Sequence, residues 1–310
     1  MNFLIATEKP FAPAAVGQIR EIIENAGHET VLLEKYTDKN DLLNAVHTAD
    51  AMIVRSDIVD KEVLDAAGNL KIVVRAGAGY DNVDLNAASA KGVCVMNTPG
   101  QNSNAVAELV FGMLLYLTRS GFDGTTGSEL KGKKLGLHAF GYIGKLVAKI
   151  ANGFGMEVFA YSPSLARNPE IGKDYNVTGV KSPEELYEKS EIISLHMPAN
   201  DQTRGSINYN LLSRLPQNGI VINTARKEVI NEADMIRIME ERPGFKYATD
   251  IKPVNHDKMV QKFGNRYLAS AKKCGAQTGE ANVNAGLAAA EQIVKFFAHG
   301  DETFRVNPKQ

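Results

Sequence analysis

Short apolar runs and amphipathic stretches alternate along the first third of the chain. The run NFLIATE is followed by an amphipathic stretch from about Ala14 to Ala26, and the alternation continues through ETVLLE, AMIVRS, KIVVRAG and VCVMNT. Because these strand segments are continuously apolar, we expect them to be covered on both faces. Strands that alternate with helices in this way predict a parallel sheet with right-handed crossovers.

A second alternating series follows a long apolar helix, which is predicted over residues 103–120. The polar segment GFDGTTGSELKGKK after that helix is typical of a crossing between domains. The second series begins at KKLGLHAFGYIGKLVAKIANGFGMEVFAYS and runs through EIISLHMP, GIVINTAR, KYATDI and YLASA. A last long helix is predicted from about Glu280 to His299. The pattern therefore predicts an α/β protein with two Rossmann- or flavodoxin-like domains that contain parallel sheets.

Length and charge narrow the class of protein. At 310 residues the chain is longer than one ordinary core and fits two domains. Its formal net charge of −1 shows no excess of positive charge that would favour binding to nucleic acid or to an anionic membrane. No apolar run approaches the roughly 18 residues that span a bilayer, and the start MNFLIATEKP lacks the features of a signal peptide. Since Cys94 and Cys274 lack metal-ligand spacing and are too few for a disulfide framework, we expect a cytoplasmic protein without a metal site.

A glycine-containing turn in LGLHAFGYIGKLVAKIA predicts a dinucleotide site. Set against G-x-G-x-x-G, it places Ala139 at the first glycine position and keeps the second and third as Gly141 and Gly144, with Tyr142 and Ile143 between them. The second glycine lets the backbone approach a pyrophosphate, and the third lets the helix pack close to the strand. Taken alone, this degenerate motif is equally consistent with an ordinary βα turn, but the alternating context favours the cofactor.

The residue that would bind the adenine ribose is a serine. An acidic side chain usually ends the next strand about 20 residues further on, whereas EVFAYSPSLAR places Ser162 there and Arg167 shortly after it. A serine can hydrogen-bond a ribose and does not repel a 2′-phosphate. We therefore expect NAD as the cofactor and keep NADP as the alternative.

Six segments give the chain a resemblance to the D-isomer-specific 2-hydroxyacid dehydrogenases. They are VRAGAGYDNVDL (74–85), NTPGQNSNAVAEL (97–109), the glycine turn (136–144), SLHMPANDQTRGSIN (194–208), VINTARKEVINEADMI (221–236) and GAQTGEA (275–281). The resemblance covers essentially the whole chain and is closest to short phosphoglycerate-oxidising members that lack a regulatory domain. It implies a substrate domain of residues 1–98 plus 283–310, a cofactor domain of residues 99–282, an active site in the cleft between them, and a homodimer.

The resemblance also implies a reaction, the oxidation of D-3-phosphoglycerate to 3-phosphohydroxypyruvate with NAD in serine biosynthesis. The family's arginine falls on Arg226, whose guanidinium would bind the substrate carboxylate and polarise the keto oxygen. The family's catalytic histidine falls on Lys273, and the glutamate that pairs with that histidine falls near Asn255. Because a lysine needs no carboxylate to orient it, we interpret both changes as one substitution that makes Lys273 the acid–base group.

A lysine that acts as a base must start neutral, although the reference pKa of lysine is about 10.4. Desolvation and repulsion from Arg226 and Lys272 would lower the pKa of Lys273. These considerations predict an alkaline optimum for the oxidation. The alternative acid–base pair is His256 with Asp257.

Further site residues follow from strand ends and from the resemblance. Arg55 and Arg75 end successive strands of the first domain and suit a phosphate. The turn that contains Gly77, Ala78 and Gly79 offers backbone N–H groups to a carboxylate. By resemblance, the remaining contacts are the hinge residues Thr98 and Asn102 and, for the cofactor, His196, Pro198, Thr203, Thr224 and Asp250.

Two other functions are open on the sequence alone. One is another 2-hydroxyacid dehydrogenase of the glyoxylate or hydroxypyruvate reductase type, whose substrate would not need both Arg55 and Arg75. The other is a dinucleotide-sensing binding protein without catalysis, because a fold does not guarantee an activity. In each case the expected partner is a small molecule.

Overall fold

The computed structural model describes residues 1–309, which divide into two compact units. One unit comprises Met1–Asn102 together with the chain from Thr278 onward, and the other comprises Ser103–Gln277. These limits lie a few residues from the predicted limits of 1–98 plus 283–310 and 99–282. The difference at the second boundary arises because the last helix is continuous from Gly279 and packs along the first helix of the chain.

The structure consists of parallel strands joined mainly by helices. The strands are β1 (Asn2–Thr7), β2 (Glu29–Glu34), β3 (Ala51–Val54), β4 (Ile72–Arg75), β5 (Cys94–Asn97), β6 (Lys134–His138), β7 (Glu157–Tyr161), β8 (Thr178–Gly179), β9 (Ile192–Leu195), β10 (Ile220–Asn223), β11 (Lys246–Thr249) and β12 (Tyr267–Ala269). The α-helices are α1 (Pro13–Asn25), α2 (Lys39–Val46), α3 (Lys61–Ala66), α4 (Leu85–Ala90), α5 (Ser103–Thr118), α6 (Tyr142–Gly153), α7 (Pro163–Arg167), α8 (Pro183–Lys189), α9 (Tyr209–Leu212), α10 (Glu232–Glu241), α11 (His256–Phe263) and α12 (Gly279–His299).

The first unit contains a five-stranded parallel sheet in the order β2-β1-β3-β4-β5, which is the flavodoxin-like order. Every residue of β3 and β5 is buried, as their continuously apolar sequences predict. Ile19 and Ile23 of α1 pack with Ala289 and Ile293 of α12 in one core of this unit. The last helix therefore belongs to the same compact unit as the start of the chain.

The second unit contains a seven-stranded parallel sheet in the order β12-β11-β10-β9-β6-β7-β8. The strand order reverses between β6 and β9, as in dinucleotide-binding sheets, and ligands of such sheets bind at the carboxyl ends of the strands near that reversal. The glycine turn follows β6, and His196 follows β9. The predicted parallel α/β fold is confirmed, and it brings the predicted cofactor residues to one edge of the sheet.

Helix α5 ends slightly earlier than predicted. Its last residue is Thr118, and Ser120, Gly121 and Phe122 then have φ angles of 51°, 68° and 63°. These left-handed conformations are incompatible with a continuing right-handed helix. Within residues 1–309, no helix combines the length and apolar character that crossing a membrane requires.

Candidate functional site

In the glycine turn after β6, there is free space beside the backbone of one glycine, and the backbone of another glycine is tightly packed. A Cβ atom placed on Gly141 would meet nothing within 4 Å, whereas one on Gly144 would lie 2.6 Å from the carbonyl oxygen of Ala139. Gly141 is the N-cap of α6. The third glycine therefore permits the tight packing of α6, and the second leaves room for a pyrophosphate at the helix N-terminus, where N–H groups favour anions. The geometry of this turn fits a dinucleotide.

The first residue of the turn is strained. Ala139 has φ +87°, a left-handed conformation that costs an L-residue with a Cβ roughly 1–2 kcal/mol. We expect Ala139→Gly to raise the free energy of unfolding by about 0.5–1 kcal/mol, since glycine adopts this φ freely but is more flexible when unfolded. Urea unfolding checks this value. The control Ala233→Gly, in α10, should lower the free energy of unfolding, and a loss in both variants would contradict the strain.

Three buried polar atoms without hydrogen-bond partners in the described chain lie at the ends of adjacent strands. They are Nδ1 of His196 after β9, Oγ1 of Thr224 after β10 and Oδ1 of Asp250 after β11. A buried polar group without a partner is costly, and native structures contain few of them. This edge of the sheet therefore has the unsatisfied donors and acceptors that a polar ligand would meet.

Asp250 is the electrostatic centre of this edge. It is 1% exposed, and the N–H of Gly275 donates to its Oδ2 at 3.1 Å. Burial raises the pKa of Asp250, while that hydrogen bond and the positive charges of Lys273 and Arg226 act in the opposite direction. The structure thus brings the predicted residues Arg226, Asp250 and Lys273 into one electrostatic group.

The backbone around the two cations is held by local hydrogen bonds. Asn223 Nδ2 donates to the carbonyl of Arg226 at 3.0 Å, and the Arg226 guanidinium donates to Ala225 O at 2.9 Å. The Ser270 hydroxyl lies 2.7 Å from Asp250 O and 2.8 Å from Lys272 O. The exposed side chain of Lys273 therefore extends from a loop that is fastened beside Asp250, and the desolvation expected for its ammonium is not observed.

The alternative acid–base pair is not brought together. Nδ1 of His256 lies 3.0 Å from the hydroxyl oxygen of Tyr267, and Asp257 is its neighbour on α11, where consecutive side chains do not face each other. Sequence reasoning also missed Glu232, whose carboxylate accepts from the backbone N–H of Asn255 at 3.0 Å and from its Nδ2 at 2.9 Å. A carboxylate thus reaches the position where the family's glutamate was expected, but it comes from α10.

Ser162 has a structural role that the sequence analysis missed. Its hydroxyl oxygen accepts from the N–H of Leu165 at 3.1 Å and lies 3.0 Å from the hydroxyl oxygen of Ser164. Ser162 is therefore the N-cap of α7, and it is 7% exposed. In the loop after β9, the Thr203 hydroxyl donates to Pro198 O at 2.6 Å, which fixes that loop. In the glycine turn, Tyr142 is exposed and Ile143 packs on the core.

Two histidines near the reversal of strand order, buried His138 and half-buried His196, should make stability depend on pH. Burial lowers the pKa of His138 to about 4 and that of His196 to about 3, both from 6.5. As the pH falls below 6.5, the unfolded chain binds these protons first, so stability is lost between about pH 6.5 and 4. We expect the loss from pH 7 to pH 5 to shrink by about 2 kcal/mol in His138→Leu. Urea unfolding at both values checks this, and the control His47→Leu, which removes an exposed imidazole, should behave like the unchanged protein.

In the first unit, the guanidinium of Arg55 has hydrogen-bond partners within the protein. Its guanidinium donates to the carbonyls of Lys9 and Pro10 at 3.0 and 2.9 Å and to Oδ1 of Asn282 at 2.6 Å, and it lies 5.1 Å from the ring centroid of Phe11. These hydrogen bonds are donated by the same guanidinium N–H groups that were predicted to bind phosphate. The contact with Asn282 was not predicted from the sequence, because the sequence does not indicate which distant residue a polar side chain on an apolar helix will contact.

Arg75 lies across the predicted anion-binding turn. Its Nε donates to Arg55 O at 2.8 Å, and a Cβ on Gly77 would lie 1.7 Å from Nη1 of Arg75. Gly77 has φ +147°, so both the conformation and the space at this position require glycine. Asn97 Nδ2 donates to Ala78 O at 2.7 Å and fixes the turn beside Gly79.

Two further features of this unit complete the predicted set. Thr98 is fully buried, its N–H donates to Gly77 O at 3.0 Å, and its Oγ1 has no hydrogen-bond partner within residues 1–309. Asn102 is half-buried at the end of the unit. Sequence reasoning missed Asp57, which is 3% exposed and accepts from the N–H of Glu8 at 2.6 Å and from the hydroxyl of Tyr36 at 2.7 Å. Across residues 1–309, no group of three or more His, Cys, Asp or Glu side chains could hold a metal ion.

Comparison with known proteins gives the same family along nearly the whole chain. The model of the D-isomer specific 2-hydroxyacid dehydrogenase catalytic domain matches residues 9–307. The hydroxypyruvate reductase of Thermotoga maritima is 32% identical over 286 residues, which cover 86% of this chain and 91% of that protein. The D-3-phosphoglycerate dehydrogenase of Methanocaldococcus jannaschii is 33% identical over 271 residues, which cover 83% of this chain and 51% of that protein. The chain spans about half the length of the curated phosphoglycerate dehydrogenases it matches.

Solved structures show the same relationship. The crystal structure of NAD⁺-bound 3-phosphoglycerate dehydrogenase of Entamoeba histolytica matches with a TM-score of 0.87 and 47% identity, over 100% of this chain and 99% of that one. A D-2-hydroxyisocaproate dehydrogenase matches with a TM-score of 0.81 at 21% identity and shows the shared fold alone. With the parallel sheets, the glycine turn and the grouped Arg226, Asp250 and Lys273 in place, the chain belongs to the D-isomer specific 2-hydroxyacid dehydrogenase family.

Proposed function

We propose that this chain is an NAD-dependent oxidoreductase that oxidises D-3-phosphoglycerate to 3-phosphohydroxypyruvate. The observation that carries the proposal is the grouping of Arg226 and Lys273 around buried Asp250 at the carboxyl edge of a dinucleotide-type sheet. The choice of substrate is supported by the Entamoeba histolytica 3-phosphoglycerate dehydrogenase, which is 47% identical and has NAD⁺ bound. The choice of NAD is supported by the same protein and by the open backbone at Gly141.

The residues divide the chemistry between them. When bound, NAD supplies the acceptor for the hydride that leaves C2 of the substrate. The turn from Ala139 to Gly144 would hold the pyrophosphate, and Thr224 and Asp250 offer hydrogen-bonding groups to the rest of the cofactor. The planar fork of Arg226 suits the substrate carboxylate and stabilises negative charge on the reacting oxygen. Neutral Lys273 takes the hydroxyl proton in the oxidation, and protonated Lys273 returns it in the reduction.

Arg75 is the side chain we propose for the substrate phosphate. Its guanidinium lies over the Gly77 turn, so a cation lies beside the backbone of the turn that was predicted to bind an anion. Arg55 acts through Arg75, because its carbonyl accepts from Arg75 Nε while its own guanidinium binds Lys9, Pro10 and Asn282. This division of roles refines the expectation that both arginines bind phosphate.

Replacement of Arg75 by alanine is expected to distinguish phosphorylated from unphosphorylated substrates. A charge-assisted hydrogen bond contributes about 1.5–3 kcal/mol, so kcat/KM for D-3-phosphoglycerate should fall about tenfold to a hundredfold. The value for D-glycerate should change little, because that substrate has no phosphate. Equal losses for both substrates would argue against a phosphate role for Arg75, and thermal unfolding of the variant shows whether the turn is preserved.

Turnover itself is tested by following nicotinamide absorbance with D-3-phosphoglycerate, with NAD and NADP in parallel. Oxidation with NAD supports the proposal. Tight cofactor binding without turnover of any 2-hydroxy acid would instead indicate a sensing protein. We propose in addition a role in serine biosynthesis and a cytoplasmic homodimer, as the family resemblance implies.

A second candidate function is hydroxypyruvate reduction. It is favoured by the Thermotoga maritima hydroxypyruvate reductase, because the match covers 91% of that protein. The same assay run in reverse with hydroxypyruvate and 3-phosphohydroxypyruvate separates the two functions. Higher kcat/KM for the unphosphorylated substrate would favour the reductase.

A further inference from the structure

The amino-terminal edge of the seven-stranded sheet carries a cavity that the proposed function does not use. Its volume is about 590 Å³, and its lining includes residues that precede or begin four neighbouring strands, β11, β10, β9 and β6. Ligand cavities in proteins typically measure about 300–1,000 Å³. Because Arg226 and Asp250 follow the carboxyl ends of their strands, this cavity lies at the opposite edge of the same sheet.

The walls of this amino-edge cavity are fastened in place. The N–H of Ser128 donates to Thr118 O at 2.9 Å, and a Cβ on Gly127 would lie 2.6 Å from that same oxygen. On another wall, the carboxamide of Asn218 lies over Gly244, where a Cβ would come within 1.8 Å of its Oδ1. Both glycines therefore let the walls approach more closely than any other residue would.

The charges in the cavity are not balanced. Nζ of Lys133 lies 3.6 Å from Oε1 of Glu191, whose other oxygen accepts from the N–H of Lys134 at 2.9 Å. Lys246 is different: it is half-buried, its Nζ donates to Leu117 O at 2.6 Å, and no carboxylate in the described chain pairs with it. Burial lowers the pKa of Lys246, and the ammonium faces only the partial negative charge at the carboxyl end of α5. An anion in the cavity would supply a full negative charge.

We propose that the amino-edge cavity binds a small oxyanion, a carboxylate or a phosphate, through the ammonium of Lys246. The hydroxyls of Ser120 and Ser128 and the carboxamide of Asn218 line the same cavity and are neutral donors of the kind that complete the hydrogen bonding of such a group. Lys246 contacts the last turn of α5 as well, so its position is fixed before a ligand arrives. The proposal does not depend on the substrate or on the direction of the reaction.

The test is calorimetric titration of the full-length chain with inorganic phosphate and, separately, with malonate. The key variant is Lys246→Gln, whose amide can still donate to Leu117 O but carries no charge. Loss of one charge-assisted hydrogen bond should weaken binding tenfold or more. Lys246→Arg keeps the cation and should retain binding. The control is Lys134→Met, an exposed lysine outside the cavity, which should bind as tightly as the unchanged protein.

The two titrants separate the possible sources of the anion. Binding of phosphate alone identifies a phosphate site, and binding of malonate alone identifies a carboxylate site. Equal affinity in the unchanged protein and in Lys246→Gln would overturn the proposal, as would the absence of binding by either anion. Because phosphate could also bind near Arg75, the titrations are repeated in Arg75→Ala, where the effect of Lys246→Gln should persist. Turnover by Lys246→Gln should be normal, so a failed titration is distinguishable from a failed enzyme assay.

Discussion

Replacement of Lys273 by alanine is expected to lower kcat for the oxidation of D-3-phosphoglycerate by about 10²–10⁴-fold, the contribution typical of a general acid or base. The physical reason is that no other amine or imidazole among the described residues of this group can take the proton. Lys273 acts electrostatically on Asp250, whereas the ring of His256 is bonded to Tyr267. KM should change less than kcat, because the proton is transferred only in the chemical step. Steady-state kinetics with both substrates varied measures the two constants.

The adjacent lysine provides the matched control. Lys272 has the same charge and is also exposed, but only its carbonyl oxygen takes part in the contacts that hold the loop. Lys272→Ala should therefore leave kcat unchanged when it is measured at alkaline pH, where loss of the charge of Lys272 no longer affects whether Lys273 is neutral. A comparable loss in both variants would show that the lysines merely stabilise the loop.

The rate of oxidation by the unchanged protein should also increase toward alkaline pH, because an amine must lose its proton before it acts as a base. A rate that is constant from about pH 6 upward would indicate an imidazole instead.

Replacement of Arg226 should have the second large effect. Removal of one donor that stabilises a developing oxyanion lowers kcat by about 10²–10³-fold, and Arg226→Ala also removes the proposed carboxylate ligand, so KM should rise as well. Arg226→Lys is the more informative variant, because it keeps the charge but loses the planar pair of donors. We expect Arg226→Lys to recover little of the activity, since a lysine cannot bind a carboxylate through two parallel hydrogen bonds.

Lys227 is the control for the arginine. It follows Arg226 directly, and its side chain is exposed. Lys227→Ala should leave kcat and KM unchanged, and circular dichroism of all three variants should show the same fold. Full activity in Arg226→Lys would mean that charge alone is needed, which would remove the argument for a bidentate carboxylate complex.

The parallel α/β architecture could be predicted because it depends on local patterns. Continuously apolar segments such as Ala51–Val54 and Ile220–Asn223 are strands buried on both faces, and the helices between them leave only parallel connections. The glycine turn was predictable for the same reason, because Gly141 and Gly144 meet steric requirements within a few residues of each other. The ends of helices were predicted less accurately, because they depend on packing between distant segments.

The candidate site was predictable only in part. Arg226 and Asp250 follow buried strands, and the ends of neighbouring parallel strands meet at one edge. The partners of the predicted side chains were not predictable. Arg55 binds Asn282, which is 227 residues away, and Asn255, where the family's glutamate was expected, is bonded to Glu232. Ser162 illustrates the same limit at short range, because a serine after a strand can be a ligand-binding residue or an N-cap with the same sequence.

The sequence by itself therefore determined the class of fold and the dinucleotide turn, and it predicted Lys273 in place of the family's histidine, since each of these depends on residue types at fixed spacings. Only the tertiary structure decided that Arg55 is engaged within its own unit, that Asp250 is buried beside two cations, and that Lys246 faces a cavity with no carboxylate paired to it among residues 1–309. The physical reason is that hydrogen bonds, burial and electrostatic interactions act over a few ångströms in space. Those distances depend on how the chain folds, and they cannot be derived from the order of residues along the sequence.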